Sequence, residues 1–423
     1  MSFSSLGLSP EILKALKDKG YNNATPIQKE LIPAIFKKHD IMAGAQTGTG
    51  KTAGFVTPIL QELNKKFNNR HYPKAIILVP TRELAKQVYA NVEDYSKYLP
   101  IKSTALHGGI NMTSQANRLK DGVDIIVSTS GRLLEHIKQK NISLLAVEYL
   151  VLDEADTILD MGFIYEVNQI LNLLPQKRQN ILISATLSSG VKTLSQKILY
   201  KAKLIEVDSM GTTAHNVRQF VYPVVKELKS ELLSFLIGSR NYSRVLVFVR
   251  KKQEADEVAK ELNLSGLKTA IIHGDKSSGT RSRALANFKN EKIRVLVATD
   301  IAARGLDIPT LKVVINYDIP HISGDYIHRI GRTGRANNKG LAITLISPNE
   351  EVALKDVERV MGKAIPREIL KDYAPKIIPK AKGARNKSNE KKKTAGAFGR
   401  KKSSSAPTNK KRKTTKRDKY KSF

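Results

Sequence analysis

Short aliphatic runs alternate along most of the chain with segments whose apolar residues recur at helical spacing. The runs are too short for helices and do not alternate with polar residues, which is typical of parallel strands buried on both faces between crossover helices. The predicted strands are residues 75–79, 124–128, 149–152, 181–184, 245–249, 270–272, 295–298, 313–316 and 342–346. The pattern therefore predicts an α/β fold.

The first helix carries clear signals at both ends. Ser9 is placed to cap its start, and Pro10 suits the first helical position because its missing N–H would be unpaired there anyway. The apolar residues that follow fall on one helical face, and Gly20 is predicted to end the segment.

Breaks in this pattern predict the domain organisation. Residues 208–218 have almost no aliphatic pattern, which favours a linker between domains at residues 1–207 and 219–375. Residues 376–423 contain 19 Lys and Arg against two acidic residues, so they contribute +17 to the net charge of +33. Because this segment is nearly free of aliphatic residues, it cannot offset its ordering entropy by burial, and we predict a disordered basic tail.

The overall charge narrows the class of partner. With 72 Lys and Arg against 39 Asp and Glu, the expected partners are polyanions, either nucleic acid or an anionic membrane surface. No apolar run approaches the roughly 20 residues of a membrane-spanning helix, and residues 1–20 lack the pattern of a signal peptide. We therefore expect no membrane association and a cytoplasmic location.

The absence of cysteine excludes a disulfide scaffold and a thiolate metal site.

The clearest chemical motif is a phosphate loop after the apolar segment at residues 40–43. It reads Ala45, Gln46, Thr47, Gly48, Thr49, Gly50, Lys51, Thr52. Small residues let backbone N–H groups wrap phosphates, while Lys51 can neutralise the β- and γ-phosphates and Thr52 can offer its hydroxyl to Mg²⁺. The motif predicts ATP and Mg²⁺ binding; the alternative is a Gly-rich loop that only turns the chain.

An acidic cluster follows the predicted strand at residues 149–152. Asp153 is placed to hold Mg²⁺, and Glu154 to act as general base on the attacking water. An acidic cluster is often only a helix cap, but its position after a buried strand and about 100 residues beyond a phosphate loop favours catalysis.

A dense basic motif lies in the second predicted domain, from His328 to Arg335. Arg332 and Arg335 are three residues apart, on one side of a helix, and could stabilise charge on the γ-phosphate as arginine fingers. On its own, the motif would be interpreted as a basic surface patch. Placing these arginines in a different domain from the phosphate loop would make hydrolysis depend on domain closure.

Together these motifs resemble the DEAD-box RNA helicases of superfamily two, over residues 3–369 and in the order typical of the family. The resemblance implies two tandem RecA-like parallel-sheet domains with ATP bound between them. It also implies a Q motif within residues 1–29, in which Tyr21 packs on adenine and Gln28 hydrogen-bonds to the adenine edge. Gln28 can both donate and accept, which suits adenine N6 and N7.

The resemblance assigns further roles residue by residue. The residues it implies for RNA contact are Arg82, Gly109, Thr129, Arg132, Arg281, Thr299 and Arg304. It places Gly305 and Asp307 at the nucleotide. It implies that Ser184, Thr186, His328 and Arg329 couple hydrolysis to strand separation.

The chain departs from the family pattern at two positions. Ser130 replaces a usual Pro, and Ser278 replaces a common Gln, which puts one RNA-side hydrogen bond in doubt. Within the family, residues 159–163 and the short core with a basic tail look most like the bacterial RhlE-type branch.

These observations predict an RNA-dependent ATPase that locally opens short duplexes or remodels RNA–protein complexes. The expected RNA contacts are sequence-independent, on single strands and short duplexes. An ATP-gated RNA clamp remains an alternative because it needs the same closed state, and a DNA translocase is disfavoured by Gln28 and the form of the later motifs. A monomer is expected, with protein partners in ribosome assembly or RNA degradation.

Overall fold

The computed structural model describes residues 2–44, 49–66, 72–206, 217–304, 308, 311–334 and 339–375, and for Ser278 the backbone only. Several predicted features lie outside these ranges. They are Ala45, Gln46, Thr47, Gly48, Gly305, Asp307, Arg335, residues 208–216 of the linker and the tail at residues 376–423.

The described part of the first domain contains a seven-stranded sheet in which all pairings are parallel. Its strands are β1 (Ile41–Gly44), β2 (Ala75–Leu78), β3 (Ser103–Leu106), β4 (Ile125–Ser128), β5 (Tyr149–Leu152), β6 (Gln179–Ser184) and β7 (Lys203–Glu206). They are arranged in the order β3-β4-β2-β5-β6-β1-β7.

The described part of the second domain contains a six-stranded parallel sheet. Its strands are β8 (Val217–Pro223), β9 (Val245–Phe248), β10 (Thr269–Ile272), β11 (Val295–Ala298), β12 (Val313–Asn316) and β13 (Gly340–Ile346). They are arranged in the order β10-β11-β9-β12-β13-β8.

Helices connect the strands and cover both faces of each sheet. In the first domain they are α1 (Pro10–Asp18), α2 (Pro26–Phe36), α3 (Lys51–Lys65), α4 (Arg82–Ser96), α5 (Met112–Lys120), α6 (Ser130–Lys138), α7 (Ala155–Asp160), α8 (Ile164–Leu173) and α9 (Ser189–Ile198). In the second they are α10 (Lys229–Ser239), α11 (Lys252–Leu264), α12 (Ser278–Lys289), α13 (Asp300–Ala303), α14 (Ser323–Ile330) and α15 (Glu351–Met361). Among the described residues, no helix is long and apolar enough to cross a membrane.

The central strands are buried on both faces, as the sequence pattern predicts. Val151 and Leu152 are adjacent in β5 and both are fully buried, yet they belong to different apolar clusters on opposite faces of the sheet. Removing a fully buried side chain of this size costs roughly 2–5 kcal/mol of unfolding free energy. The two-layer burial therefore holds the strand ends, where the motifs lie, in fixed positions.

Three strands differ from the sequence expectation. β3 was not predicted because Ser103 and Thr104 interrupt its short apolar run, and in β7 only Ile205 is buried. β8 begins at Val217, so the last two residues of the predicted linker belong to the second sheet. Edge strands are covered on one face or at one end only, and their apolar pattern is correspondingly weak.

The predicted start and end of α1 are found in the structure. Ser9 precedes the helix, Pro10 is its first residue, and Gly20 follows it with a positive φ of 75°. The Ser9 side chain makes no capping hydrogen bond; instead its backbone N–H donates to Gln61 Oε1 at 2.7 Å. The helix therefore starts where the sequence indicates, but is tied to α3 through its backbone.

Candidate nucleotide and RNA site

The last residues of the phosphate loop are held at the start of α3. Lys51 is 6% exposed, and its Nζ has no hydrogen-bond partner among the described residues. The nearest described carboxylate oxygen that forms an ion pair with it is Asp153 Oδ1, at 3.8 Å. A buried ammonium without a hydrogen-bond acceptor is costly, so Lys51 is suited to receive an anionic ligand such as a phosphate.

Gln28 ties the Q motif to this loop. Its Oε1 accepts from the Thr25 backbone N–H at 2.8 Å, and its Nε2 donates to the Gly50 carbonyl at 3.0 Å. Gly50 has a φ of 89°, and a Cβ there would lie 2.5 Å from Gln28 Nε2. The glycine is therefore required by both backbone conformation and close approach. The expected adenine contact of Gln28 stays a prediction, while its observed role is to fix the phosphate loop.

Tyr21 lies at the surface of the same region. Its ring is 40% exposed and packs against the Tyr95 ring with centroids 6.4 Å apart. An accessible ring held on one side by another aromatic side chain is suited to stacking on a planar ligand.

Asp153 and Glu154 lie at the carboxyl end of β5. Both are buried, with 3% and 7% of their surfaces exposed, and burial raises the pKa of each carboxyl group against the opposing charge of Lys51. Glu154 has a left-handed backbone conformation (φ 52°, ψ 52°), which is uncommon for a residue other than glycine. Strained conformations of this kind are found mainly where a side chain must point in one direction.

Asp156 connects the acidic cluster to the end of β6. Its Oδ2 accepts from the backbone N–H groups of Ala185 and Thr186, each at 2.9 Å, and from Thr186 Oγ1 at 3.2 Å. Burial would raise the pKa of Asp156, but the charge of His328, a hydrogen bond from the Ser184 side chain, the charge of Lys51 and a hydrogen bond from the Thr157 backbone hold it below its usual range. His328 comes from the second sheet, with Nε2 at 3.9 Å from Asp156 Oδ2. Asp156 therefore links Thr186 and His328, which are two of the predicted coupling residues.

The basic motif begins in α14, which ends at Ile330, so Arg332 lies in the turn after the helix and not on a helical face as expected. Its arginines lie in two environments. Arg332 is 6% exposed and close enough to Glu154 for its charge to lower the pKa of that carboxyl group, although burial still raises it overall. Arg329 is 1% exposed and lies within the second sheet's core, where its Nε and Nη2 donate to Asp300 at 2.5 and 2.7 Å, and its Nη1 donates to the Asp318 carbonyl. Arg332 therefore lies near a residue of the first domain, whereas Arg329 joins α13 to the residues that follow β12 within the second domain.

Arg82 packs over the Gly108–Gly109 pair at the end of β3. A Cβ on Gly108 would lie 2.9 Å from the Arg82 guanidinium carbon, and one on Gly109 would lie 3.1 Å from Nη1. The two glycines are therefore needed for this guanidinium to reach the carboxyl edge of the sheet. Gly109 also has a positive φ of 83°, which glycine adopts without strain.

A cavity of about 680 Å³ is lined by the predicted RNA motifs of both sheets. Thr129 begins α6, and Arg132 is fixed by ion pairing with Glu135 at 2.9 Å and by donating to the Ile110 carbonyl at 3.1 Å. The lining residues that come from the sequence prediction are Arg82, Gly109, Thr129, Arg132 and Arg281.

Two arginines of the second sheet form ion pairs with the first sheet. Arg281 Nη2 lies 2.7 Å from Glu83 Oε1, next to Arg82 in the cavity. Arg304 is 9% exposed and pairs with Asp325 in its own domain and, at 3.1 Å, with Asp160 of the first. The structure thus places Arg304 between two carboxylates, where it holds the sheets together, and its expected contact with RNA stays a prediction.

The remaining predicted residues lie close to their expected places. Thr299 is 7% exposed at the start of α13, immediately after β11. Ser184 donates from Oγ to the Thr186 carbonyl at 2.6 Å. Thr52 lies in the first turn of α3, beside the phosphate loop.

Sequence reasoning missed the carboxylates that hold these arginines. They are Glu83, Asp160, Asp300 and Asp325. Arg329 also donates to the backbone carbonyl of Asp318. Acidic residues spaced irregularly along a chain resemble ordinary solvated positions, so pattern alone gives no signal for them. They are identified only by the arginines that the fold brings to them.

Comparison with known proteins shows which family the chain resembles. Residues 25–194 match the model of the DEAD/DEAH box helicase family, and residues 227–337 match the helicase conserved C-terminal domain. The DEAD-box ATP-dependent RNA helicase CshA of Bacillus cereus is 39% identical over 366 residues, which cover 86% of this chain and 69% of that protein. The ATP-dependent RNA helicase CshA of Listeria monocytogenes is 40% identical over 361 residues, covering 85% and 69%.

Solved structures give the same result. Dbp5 of S. cerevisiae bound to RNA and ADP BeF3 superposes with a TM-score of 0.78 at 30% identity, over 88% of this chain and 96% of that one. Mss116p bound to ssRNA and AMP-PNP gives a TM-score of 0.78 at 28% identity, over 87% and 78%.

Proposed function

The chain belongs to the DEAD-box RNA helicase family, and from this we propose how its own residues carry out ATP-dependent remodelling of RNA. The chain is an ATP-dependent RNA helicase with two RecA-like domains, and RNA is its partner. The observation that carries the residue-level proposal is that Arg332 of the second domain lies close enough to Glu154 of the first for its charge to lower the pKa of that carboxyl group.

Lys51 and Asp153 form the nucleotide-facing centre of the proposed site. The Lys51 ammonium has no hydrogen-bond partner among the described side chains and backbone groups, and the ATP phosphates would supply acceptors for it. Tyr21 would stack on the base. Gln28 would hold the phosphate loop in place through its hydrogen bond to the Gly50 carbonyl. The loop residues 45–48, together with Gly305 and Asp307, complete the proposed site from outside the described ranges.

The same residues fit a divalent cation. Asp153 is a buried carboxylate whose pKa is raised by burial, so a bound cation would offset its desolvation cost. No group of three or more metal-binding side chains occurs in the described ranges, so we propose that Mg²⁺ is held by Asp153, Thr52 and the nucleotide phosphates together. When bound, Mg²⁺ would neutralise developing charge on the phosphates.

Glu154 is proposed as general base and Arg332 as the arginine finger. Glu154 is buried, its backbone is left-handed, and the charge of Arg332 from the second domain acts on its carboxylate. Arg335 would assist Arg332 from beyond the described residues. Because the base and the finger belong to different domains, hydrolysis depends on closure.

Closure is also proposed to bind RNA. The cavity of about 680 Å³ has residues of both domains in its wall, so a strand lying there would bridge the sheets. Arg82, Arg132 and Arg281 suit phosphate contacts, which carry no sequence information. We propose that Thr299 and Arg304 act at the second-domain side, and that Asp156, Ser184, Thr186, His328 and Arg329 transmit closure between the sheets.

The comparisons do not favour the RNA clamp as the main activity, since the relatives at 39–40% identity are named as ATP-dependent RNA helicases. We propose a cytoplasmic monomer, acting with ribosome-assembly or RNA-degradation proteins, with a first domain at residues 1–207 and a second that starts at Val217 and ends at residue 375. Placement in the RhlE-type branch is proposed from residues 159–163 and the compact core.

The Arg332→Ala variant tests the proposal most directly. Without the guanidinium, RNA-stimulated ATP hydrolysis should fall by on the order of 10³ with little change in ATP affinity. Hydrolysis would be measured with no nucleic acid, single-stranded RNA, duplex RNA and DNA in parallel. An unchanged rate would reject the finger assignment, and stimulation by DNA but not RNA would reject the RNA site.

A further inference from the structure

A second cationic surface lies at the edge of the first sheet opposite the nucleotide motifs. The amino ends of β6, β1 and β7 are neighbours because these parallel strands are adjacent in the sheet. The loops that lead into them frame a cavity of about 580 Å³, here called the amino-edge groove. Its lining includes Lys38, Asp40, Arg178, Asn180, Tyr200 and Lys201.

Asp40 joins the three loops into one platform. It is 8% exposed and accepts from the Asn180 N–H at 2.7 Å, from Asn180 Nδ2 at 3.1 Å and from the Tyr200 N–H at 2.8 Å. Gln179 adds a bond from Nε2 to the His39 carbonyl at 2.6 Å. Loops tied together by buried, satisfied polar groups are pre-organised for binding.

The positive charge of this surface is compensated only in part. Of the lining cations, Lys38 pairs with Glu62 at 2.7 Å. Lys37 and Lys177 lie next to lining residues in the sequence. Lys37, Lys177 and Lys201 are exposed and Arg178 is half-buried. None of the four forms an ion pair with any residue in the described ranges. A cluster of unpaired cations around a fixed groove favours an anionic partner.

Arg178 is held rigidly at the centre of the groove. Its Nη1 donates to the Pro175 carbonyl at 2.6 Å and its Nε donates to Asn180 Oδ1 at 2.8 Å. Burial lowers the pKa of this guanidinium, and the nearby Asp40 opposes the shift only in part. An anion bound in the groove would further stabilise the positive charge of the Arg178 guanidinium.

An aromatic side chain accompanies the cations. Tyr200 is 74% exposed although its backbone is fixed by Asp40, and Lys201 Nζ lies 5.3 Å from its ring centroid. Exposed aromatic rings interleaved with cations are the features on which single-stranded nucleic acid stacks its bases and places its phosphates. An acidic peptide would use the cations but not the ring.

We propose that the amino-edge groove binds a flanking segment of the RNA whose central part lies in the cavity at the carboxyl edge. This inference rests on RNA being the substrate. The six residues of β6 span about 20 Å at 3.3 Å per residue, so a flank must wrap past the sheet by about that distance. Two contacts on one RNA raise its affinity through effective concentration without a new catalytic group.

The test compares a short single strand that fills only the cavity with the same strand carrying a longer flank. The Lys37→Gln, Lys177→Gln and Lys201→Gln changes are combined in one variant. For the flanked RNA, its half-stimulating concentration should rise on the order of tenfold and the salt slope of binding should fall by about 2–3. Tyr200→Ser should weaken binding of the flanked RNA with a much smaller change in salt slope.

The matched control changes three exposed lysines of the second domain, Lys260, Lys268 and Lys355, to Gln. The short strand should stimulate all variants as it does the unchanged protein. If the control weakens the flanked RNA equally, or if the groove variant leaves it unchanged, the groove proposal is overturned. Lost binding of an acidic peptide with unchanged RNA binding would also overturn it. Failure of the short strand to stimulate the unchanged protein would instead reject the proposed function.

Discussion

Glu154 combines burial, a left-handed backbone and a position beside Arg332. The three features act together: burial makes the carboxylate a stronger base, and the backbone fixes its direction. Arg332 limits how far the pKa rises. Glu154 precedes α7, but its side chain makes no capping hydrogen bond. Capping of α7 therefore does not explain these three features.

The Glu154→Gln variant should separate hydrolysis from binding. Gln keeps the size and backbone of Glu but cannot take a proton, so the ATPase rate should fall by about 10²–10⁴. ATP-dependent RNA binding should persist because Lys51 and the RNA-facing residues are unchanged. Steady-state hydrolysis and RNA anisotropy measure the two effects; retained hydrolysis would remove Glu154 as the base. Glu11→Gln, at an exposed position of the first domain, is the control.

At the level of elements, Asp156 joins the loop after β5 to the loop after β6. Its bonds to the backbone of residues 185 and 186 fix the second loop relative to the first. His328 approaches the same oxygen from α14. If α14 shifts when the two domains separate, the contact of His328 with the Asp156 carboxylate changes. That carboxylate also holds the loops after β5 and β6 together.

Asp156→Asn should lower both stability and coupling. The pKa of Asp156 lies below its usual range, so the ionised group stabilises the fold above the ordinary carboxyl range, and this contribution is lost as the pH falls through the folded-state pKa. The variant should melt at a lower temperature at neutral pH, and its melting temperature should depend less on acid. Its duplex unwinding should fall more than its ATPase rate. Asp121→Asn, at an exposed position, should change neither.

The sequence predicts the elements well where a strand is buried on both faces. The runs at residues 149–152, 295–298 and 313–316 match β5, β11 and β12 residue for residue. It fails at β7, where only Ile205 is buried, and at β3, where three of the four residues are buried but Ser103 and Thr104 are polar. A strand covered on both sides is usually apolar throughout, and a buried polar residue such as Thr104 hides it from the sequence pattern.

The site is predicted unevenly for a related reason. Glycines and cations of the phosphate and RNA motifs are recognisable because their chemistry requires those residue types at fixed spacing. Their partners are not: Asp160 and Glu83 are identified only when the second sheet brings Arg304 and Arg281 to them. The bond from Gln28 to Gly50 likewise depends on how α2 packs against α3, whereas its bond with Thr25 is a capping box at the start of α2 itself.

At the scale of the whole molecule, contact between the sheets depends on a few charged pairs. Asp160→Asn removes one partner of Arg304 while leaving Asp325 to satisfy it within the second domain. Closure should weaken, so the half-stimulating RNA concentration should rise several-fold while the rate at saturating RNA stays close to that of the unchanged protein. Steady-state ATPase titrations separate the two quantities. A fall in the saturated rate alone would place Asp160 in the chemistry rather than in closure, and Asp121→Asn again serves as control.

The distribution of charge along the chain gives the last prediction. Residues 376–423 carry +17 of the net +33, yet none of the proposed catalytic residues lies among them. Deleting this segment should raise the half-stimulating RNA concentration and flatten its salt dependence, because each lost phosphate contact lowers the salt slope by about 0.9. The rate at saturating RNA should remain nearly intact. A chain whose terminal Lys and Arg are replaced by Gln, at unchanged length, should behave like the deletion if charge is the cause. A collapse of the saturated rate in either variant would mean that the segment takes part in hydrolysis itself.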